Sequence, residues 1–167
     1  SKEHFDAPLF WVNPELTNGL PAEQSVKFLS FDMQATPTKA VHSATSVELK
    51  NGNILSMWYG GSREGHVDVA LYSAEFSQLT QTWSEPKKVL DRHDVANDLN
   101  RYIKKIGNPV LIKHPQGPIV LVYVSVSLAG WATSQLNMAL SYDDGQTWHA
   151  SKRLVTSPFI NISTLVK

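Results

Sequence analysis

Residues 141–148 carry the most restrictive pattern in the sequence, Ser-x-Asp-x-Gly-x-Thr-Trp. The carboxylate of Asp143 can accept hydrogen bonds from nearby backbone N–H groups, and Gly145 can adopt the positive φ angle that a tight hairpin requires. Trp148 supplies a large apolar side chain that can anchor the turn on a core. The pattern predicts a compact turn between strands, with a structural role for Ser141, Asp143, Gly145, Thr147 and Trp148.

Similar features occur upstream at a constant distance. Trp83 precedes Trp148 by 65 positions (148 − 83), and Gly52 precedes Gly117 by the same number (117 − 52). The apolar runs after the two glycines keep this offset. A constant offset over several stretches indicates two copies of one supersecondary unit, and strands separated by turns are typical of a propeller blade.

The turn of the first copy has lost the polar residues of the second. Gln78 stands at the position of Asp143, and Thr80 stands at the position of Gly145. The tryptophan is kept, because Trp83 occupies the position of Trp148. The first copy has therefore lost the carboxylate and the glycine of the turn but kept its tryptophan anchor.

Apolar and β-branched runs predict four strands in each copy. The predicted strands cover residues 41–49, 54–59, 67–75, 87–90, 106–113, 118–125, 135–142 and 152–155. In the third of them, alternation places Val67 and Leu71 on one face and Asp68 on the other. The polar and weakly helical residues 91–102 are predicted to connect the two copies.

The composition excludes several classes of function. Fifteen basic residues balance fifteen acidic ones, so neither a nucleic acid nor an anionic membrane is favoured as a partner. The absence of cysteine excludes disulfide bonds and thiolate chemistry. No apolar run approaches the roughly 18 residues that a membrane-spanning helix needs. The histidines lack metal-ligand spacing, so we expect neither a metal nor a cofactor.

Four segments are predicted from these patterns. Residues 1–40 form an N-terminal arm with a possible ring-closing strand, residues 41–105 the first blade and connector, residues 106–158 the second blade, and residues 159–167 the start of a third. Because propellers usually close with about 4 to 8 blades, we expect the chain to be a piece of a longer protein or to be completed by partner chains. A self-contained β-sandwich is the alternative.

Residues 42–52, 60–70 and 107–111, together with the 141–148 pattern, resemble the sialidase (neuraminidase) superfamily. The likeness is strongest to its bacterial sialidase-like branch with BNR, or Asp-box, repeats. It implies an all-β fold, namely the N-terminal portion, roughly two to three blades, of a six-bladed β-propeller. The implied site lies at the propeller axis, where the inner strands begin. The resemblance also suggests a secreted or periplasmic protein.

The same resemblance implies roles for individual residues. Asp68 matches the acid/base aspartate, and Arg63, five positions earlier (68 − 63), matches an arginine that holds the substrate. Asn108 matches the asparagine of an Asn-Pro inner strand. His42 stands where the family has its first carboxylate-clamping arginine, and a neutral imidazole cannot make that bidentate contact. The remaining arginines and the Tyr/Glu nucleophile are expected beyond Lys167.

Two further side chains are candidates for substrate binding. His66 lies in the same loop as Arg63 and could reach a sugar hydroxyl, and Trp131, beside Gly130, could stack on a sugar ring. An arginine beside Asp68 would favour the ionised carboxylate, which opposes a role as an acid. An Asp68–Arg63 pair that only holds the loop in shape is the structural alternative.

Taken with the resemblance, these residues predict a sialidase-like exo-glycoside hydrolase that acts on terminal acidic sugars of glycans. The expected partners are a glycan substrate and the rest of the propeller, and we expect the 167-residue chain alone to be inactive. Two alternatives remain open at this point. One is a non-catalytic carbohydrate-binding propeller, and the other is a histidine-dependent lyase or glycosidase that acts on uronic acid polysaccharides.

Overall fold

The computed structural model describes residues 38–63, 66–128 and 134–155, which form two antiparallel sheets and one short helix. The first sheet contains β1 (Ala40–Glu48), β2 (Ile54–Gly61), β3 (Ala70–Ser77), β4 (Thr82–Trp83) and β5 (Lys87–Leu90). Helix α1 (Arg92–Leu99) follows. The second sheet contains β6 (Lys105–Lys113), β7 (Ile119–Val126), β8 (Ser134–Ser141) and β9 (Lys152–Val155).

The strands are arranged in the same way in both sheets. The first sheet has the order β1-β2-β3, with β4 and β5 both paired to β3, and the second has the order β6-β7-β8-β9. Residues 1–37 of the predicted N-terminal arm, Trp131 and the predicted start of a third blade lie outside the described residues. Within the described ranges, no helix is long and apolar enough to cross a membrane.

The offset of 65 residues extends to the irregularities of the sheets. The β1–β2 register shifts after His42 and the β6–β7 register shifts after Gly107 (107 − 42 = 65). Ser43 and Asn108, at the same offset (108 − 43 = 65), have positive φ angles of 51° and 50°. A bulge with a left-handed residue therefore recurs at the same place in both copies.

The start of β3 differs from the prediction. β3 begins at Ala70, not at residue 67, so that Val67 and Asp68 lie in a turn before the strand. Val67 is consequently 39% exposed, although alternation predicted that it shares a face with Leu71. The prediction was wrong because the Asp68 carboxylate accepts hydrogen bonds from the Ser62 N–H, which closes a loop that alternation alone does not reveal.

Helix α1 connects the two sheets and begins with a capping box. The Asp91 side chain accepts hydrogen bonds from the N–H groups of His93 and Asp94, and the Asp94 side chain accepts one from the Asp91 N–H. Burial alone would raise the pKa of Asp91, but hydrogen bonds from Lys88 and these backbone donors lower it to about 2. The helix ends at Asn100, which is in the left-handed conformation.

The core lies between the two sheets. One buried cluster joins alternate residues of β2, which share one face of that strand, to alternate residues of β7, namely Leu55, Met57, Tyr59, Ile119, Leu121 and Tyr123. At the β1 bulge, the hydroxyl of Thr45 accepts a hydrogen bond of 3.1 Å from the Leu111 N–H of β6. One face of the first sheet is therefore packed on one face of the second.

The two packed faces are not equivalent in the repeat. Tyr123 corresponds to Trp58 (123 − 58 = 65), and Trp58 alternates with Met57 and Tyr59 along β2, so it points to the other face of the first sheet. The face of the second sheet that packs on the first sheet therefore corresponds to the face of the first sheet that points away from the second. The packing is front to back, as in a stack of like units.

Candidate functional site

The candidate acidic residue lies at the end of the sheets where β1 and β6 begin. Ala40 of β1 pairs with Gly61 at the end of β2, and the loop that follows Gly61 carries Asp68. A Cβ atom at Gly61 would lie 2.8 Å from Oδ1 of Asp68, so that the carboxylate would have to move away from its present position. Glycine at this position therefore allows the carboxylate to fold back against the strand end.

Asp68 is held by donors of its own loop. Its two carboxylate oxygens accept the Ser62 N–H at 3.0 and 3.2 Å, Oδ1 accepts the Ser62 hydroxyl at 3.2 Å, and Nδ1 of His66 lies 2.8 Å from Oδ1. The hydrogen bond with His66, followed by those from Ser62, lowers the pKa of Asp68 against the opposing effect of burial. The side chains of His66 and Asp68 are 37% and 49% exposed, so the pair is open to a ligand.

Arg63 contacts the rest of its loop through its backbone. Its carbonyl oxygen accepts the His66 N–H at 3.3 Å, and its side chain is exposed. Among the described residues, no ion pair joins Arg63 to Asp68. The groups that stabilise the ionised carboxylate are therefore Ser62 and His66, and the guanidinium is left at the surface of the loop.

His42 and Asn108 belong to the same end of the sheets. His42 pairs with Tyr59 across β1 and β2, and their rings stack with centroids 5.6 Å apart. A Cβ atom at Gly107 would lie 4.0 Å from the Tyr59 ring, so the start of β6 approaches the same aromatic surface. Asn108 follows in the β6 bulge. The register thus brings three of the predicted residues to one end, while Trp131 lies outside the described residues.

Two residues at this end were missed from the sequence. Ser62 provides the backbone and hydroxyl donors of the Asp68 carboxylate, and Tyr59 provides the ring on which His42 stacks. The available signal for Ser62 was its place directly after a glycine pair that ends a buried strand. Tyr59 gave no such signal, because its ring fitted a buried apolar run equally well.

The 141–148 turn lies at the opposite end of the sheets. It follows the end of β8, whose last residue Ser141 pairs with Ile119 at the start of β7. Oδ1 of Asp143 accepts the Ser141 hydroxyl and the Thr147 N–H, both at 2.8 Å, and Oδ2 accepts the Thr147 hydroxyl. These bonds, first those from Thr147, lower the pKa of Asp143 to about 2.

The turn is also fixed to the body of the protein. The Ser141 hydroxyl accepts the Gly145 N–H at 2.8 Å, and Gly145 has a φ angle of 85°. Trp148 is half-buried and packs against the cluster between the sheets. Because this turn and the Asp68 loop lie at opposite ends of the strands, the carboxylate of Asp143 has no access to a ligand bound beside Asp68.

The described residues contain no group of three or more His, Asp or Glu side chains placed to hold a metal ion. The side chains described at the Asp68 end can make hydrogen bonds, transfer protons and form aromatic contacts. The groups at this end are the ionised carboxylate of Asp68, the imidazoles of two histidines, the exposed side chain of Arg63 and Asn108 in the left-handed conformation.

Two antiparallel sheets that share a four-strand arrangement, with the short β4 added in the first, define an all-β repeat protein. Residues 52–167 match the family of BNR repeat-like domains, and the chain belongs to this family, within the sialidase-like BNR repeat superfamily. No curated protein matches the chain.

Among solved structures, a Hadza microbial sialidase, Hz136, has a similar fold, with a TM-score of 0.56 and 17% sequence identity. The match covers 70% of this chain and 26% of that sialidase, so the chain spans about a quarter of its length. At this identity the likeness concerns the fold of the backbone.

Proposed function

We propose that the two sheets are consecutive blades of a six-bladed propeller of the sialidase type, with blade boundaries at residues 41–105 and 106–158. The front-to-back packing supports this arrangement. The face of the second sheet that corresponds to the packed face of the first sheet does not pack on the first sheet, so it can pack on a further blade. Val122 of that face corresponds to Met57 (122 − 57 = 65). Such packing continues until a ring closes, and a third blade beginning near residue 159 would cover Val122.

We infer further that the protein is a sialidase-like exo-glycoside hydrolase for terminal acidic sugars. The observation that carries this proposal is the position of Asp68, exposed at the end where β1 and β6 begin and joined there by His42 and Asn108. Asp68 is the carboxyl group on which the acid/base step depends. Arg63, His42, Asn108, His66 and Trp131 are the proposed substrate contacts.

The name of the similar solved structure agrees with this activity for that protein, and the family assignment supports it for this chain. An arginine with an exposed guanidinium next to an acidic sugar site suits the recognition of a carboxylate. His42, which stacks on the buried ring of Tyr59, is half-buried and belongs to the same end of the sheets.

A second candidate function is glycan binding without cleavage. It is favoured by one observation, the hydrogen bonds from Ser62 and His66 to Asp68, which favour the ionised carboxylate. An ionised carboxylate accepts hydrogen bonds from sugar hydroxyls but has no proton to give to a leaving group. The same end of the sheets would then hold a glycan without breaking it.

The test compares two aspartates at opposite ends of the sheets in the full-length protein that contains this chain. With a fluorogenic sialoside as substrate, Asp68→Asn is expected to lower kcat by about 10²-fold or more, because acid/base groups contribute about that much. The matched control Asp143→Asn should retain the wild-type kcat at temperatures where it stays folded. Equal loss in both variants would contradict the proposed role of Asp68.

Other outcomes select the alternatives. Glycan binding by the wild type without turnover, unchanged by Asp68→Asn, would favour the binding propeller. Release of unsaturated uronate products from a uronic acid polysaccharide, lost on His42→Ala, would assign the protein to the lyases.

A further inference from the structure

We propose that a cleft at the outer edge of the interface between the two sheets binds an acidic sugar, at a site separate from Asp68. The cleft has a volume of about 210 Å³ and lies between β5 and the 141–148 turn. The inference rests on the function proposed above only for the choice of acidic sugars as the ligand class. The polar side chains and the indole that line the cleft belong to Ser73, Lys87, Lys88, Gln146, Thr147 and Trp148.

Strand register directs the side chain of Lys87 into this cleft. Lys87 pairs with Ser73, and Ser73 pairs with Met57. Because paired residues of antiparallel strands share a face, Lys87 lies on the same face as Met57, which belongs to the cluster between the sheets. β5 pairs only with β3, so Lys87 stands at the edge of this face and remains exposed.

The charge of Lys87 is the one available to a ligand. Nζ of Lys88 lies 2.9 Å from Oδ2 of Asp91, so the charge of Lys88 is already balanced. Among the residues that the structure describes, Lys87 makes no ion pair. An ammonium group in this position can donate a charge-assisted hydrogen bond to a carboxylate.

The turn supplies groups that suit the rest of a sugar. Trp148 is half-buried, and its Nε1 is buried without a hydrogen-bond partner in the described part of the chain. Since buried donors are nearly always paired, this N–H in the wall of the cleft indicates an acceptor that a ligand brings. The Thr147 hydroxyl donates to Asp143, so its oxygen can accept a hydrogen bond from a sugar hydroxyl.

The size of the cleft favours a sugar over an inorganic anion. A volume of 210 Å³ corresponds to about seven water molecules of roughly 30 Å³ each, so a small anion on Lys87 would fill only part of it. An indole beside a few polar groups is typical of pockets that bind ring-shaped organic ligands.

A purely structural role for Lys87 is the alternative. Lysine on an edge strand discourages pairing with other chains, and that role requires no cleft. Lys152 holds the equivalent position on the second sheet (152 − 87 = 65), is also exposed and does not line the cleft. The pair therefore separates the effect of the cleft from that of an edge lysine.

The experiment follows the indole ¹⁵N–¹H resonances of the full-length protein during titration with the methyl thioglycoside of sialic acid, which resists hydrolysis. Trp148→Phe assigns the Trp148 resonance. We expect that resonance to shift saturably, and Lys87→Gln to weaken the dissociation constant by about 10-fold or more, the effect of losing one hydrogen bond to a charged group. The matched control Lys152→Gln should leave it unchanged, and neutral methyl galactoside should bind more weakly.

Three results would overturn the inference: no shift of the Trp148 resonance, equal weakening in Lys87→Gln and Lys152→Gln, or binding of inorganic phosphate with the same affinity as the sugar. The hydrolase proposal is tested apart, because hydrolysis of a fluorogenic sialoside should keep its kcat in Lys87→Gln. Hydrolysis without a Trp148 shift would overturn only the cleft site. A shift without hydrolysis would support the cleft site and overturn the hydrolase function.

Discussion

The two copies follow the same strand register but close their outer turns with different chemistry. In the second copy, the carboxylate of Asp143 accepts from Ser141 and Thr147. In the first copy, the Gln78 N–H donates to the side-chain oxygen of Asn53 at 3.1 Å, and the Ser77 hydroxyl accepts the Thr80 N–H at 3.2 Å. The two copies share the same backbone path, but different groups accept the hydrogen bonds of the two turns.

The aromatic anchors differ in the same way. Trp148 packs against the cluster between the sheets, whereas Trp83 packs on Phe76 of its own sheet, with ring centroids 5.3 Å apart. The comparison teaches that the strands determine where the chain turns. Any acceptor that reaches the backbone N–H groups of the turn can then stabilise the turn, because these N–H groups require a hydrogen-bond partner of any suitable kind.

The largest expected effect distinguishes two glycines with nearly the same φ angle. Gly145→Ala should destabilise the protein by about 3 kcal/mol, because left-handed strain of about 1–2 kcal/mol adds to overpacking against the Leu55 side chain, 2.5 Å from the new Cβ. Gly52→Ala has open space and should cost only the strain, about 1 kcal/mol. Urea unfolding of both variants measures the difference, and equal losses would show that Leu55 yields without cost.

A smaller effect is expected at a hydrogen bond present in the second copy. Tyr123 donates to the Ser151 hydroxyl at 2.7 Å in a buried site, and burial raises the pKa of Tyr123, so its hydroxyl stays protonated. Tyr123→Phe should cost about 1 kcal/mol in the free energy of unfolding. The exposed Tyr142→Phe is the control, and a similar loss there would refute the buried bond as the cause.

The smallest expected effect is the loss of stability at acidic pH. The pKa of Asp143 is about 2 in the folded protein, against about 3.9 in an unfolded chain. The unfolded state therefore binds the proton first, so the stability contributed by this carboxylate is present above about pH 4 and is lost as the pH falls toward 2. Asp143→Asn should be less stable than the wild type at pH 6, with a gap that narrows toward pH 2.

The first copy provides the control for this titration. Gln78 occupies the position of Asp143 and has no charge, so Gln78→Ala should show the pH dependence of the wild type in thermal unfolding. If the difference in stability between the wild type and Asp143→Asn stays constant from pH 6 to pH 2, the charge of the carboxylate does not contribute to stability.

Much of the fold followed from local pattern. Strands β5 and β9 were predicted with the bounds that they have, 87–90 and 152–155, and the connector was predicted as weakly helical. The exact start of α1 was not predicted, although the pair Asp91 and Asp94 has the spacing of a capping box. The start of β3 was predicted three residues too early (70 − 67), because the alternation of apolar and polar residues from Val67 onward fits a strand although Asp68 can also form a turn.

The candidate site could be foreseen only in outline. The motif positions named Asp68, Arg63 and His42. Among the described residues, the structural alternative of an Asp68–Arg63 pair does not form, because His66 and Ser62 are the partners of the carboxylate. Spacing along a loop does not say which donor reaches a carboxylate. That depends on how closely the loop folds onto Gly61, which is a property of the strand end and not of the intervening residues.

The sequence by itself determined the repeat, its offset of 65 residues and the glycine and aspartate turns, since these depend on local backbone preferences and side-chain period. The tertiary structure alone decided that the first sheet packs front to back on the second and that Asp68 is paired with His66. Both faces of β2 and β7 are rich in apolar residues, so period alone cannot select the packed face. Only the meeting of the two sheets, through Met57, Leu121 and Tyr123, makes that choice.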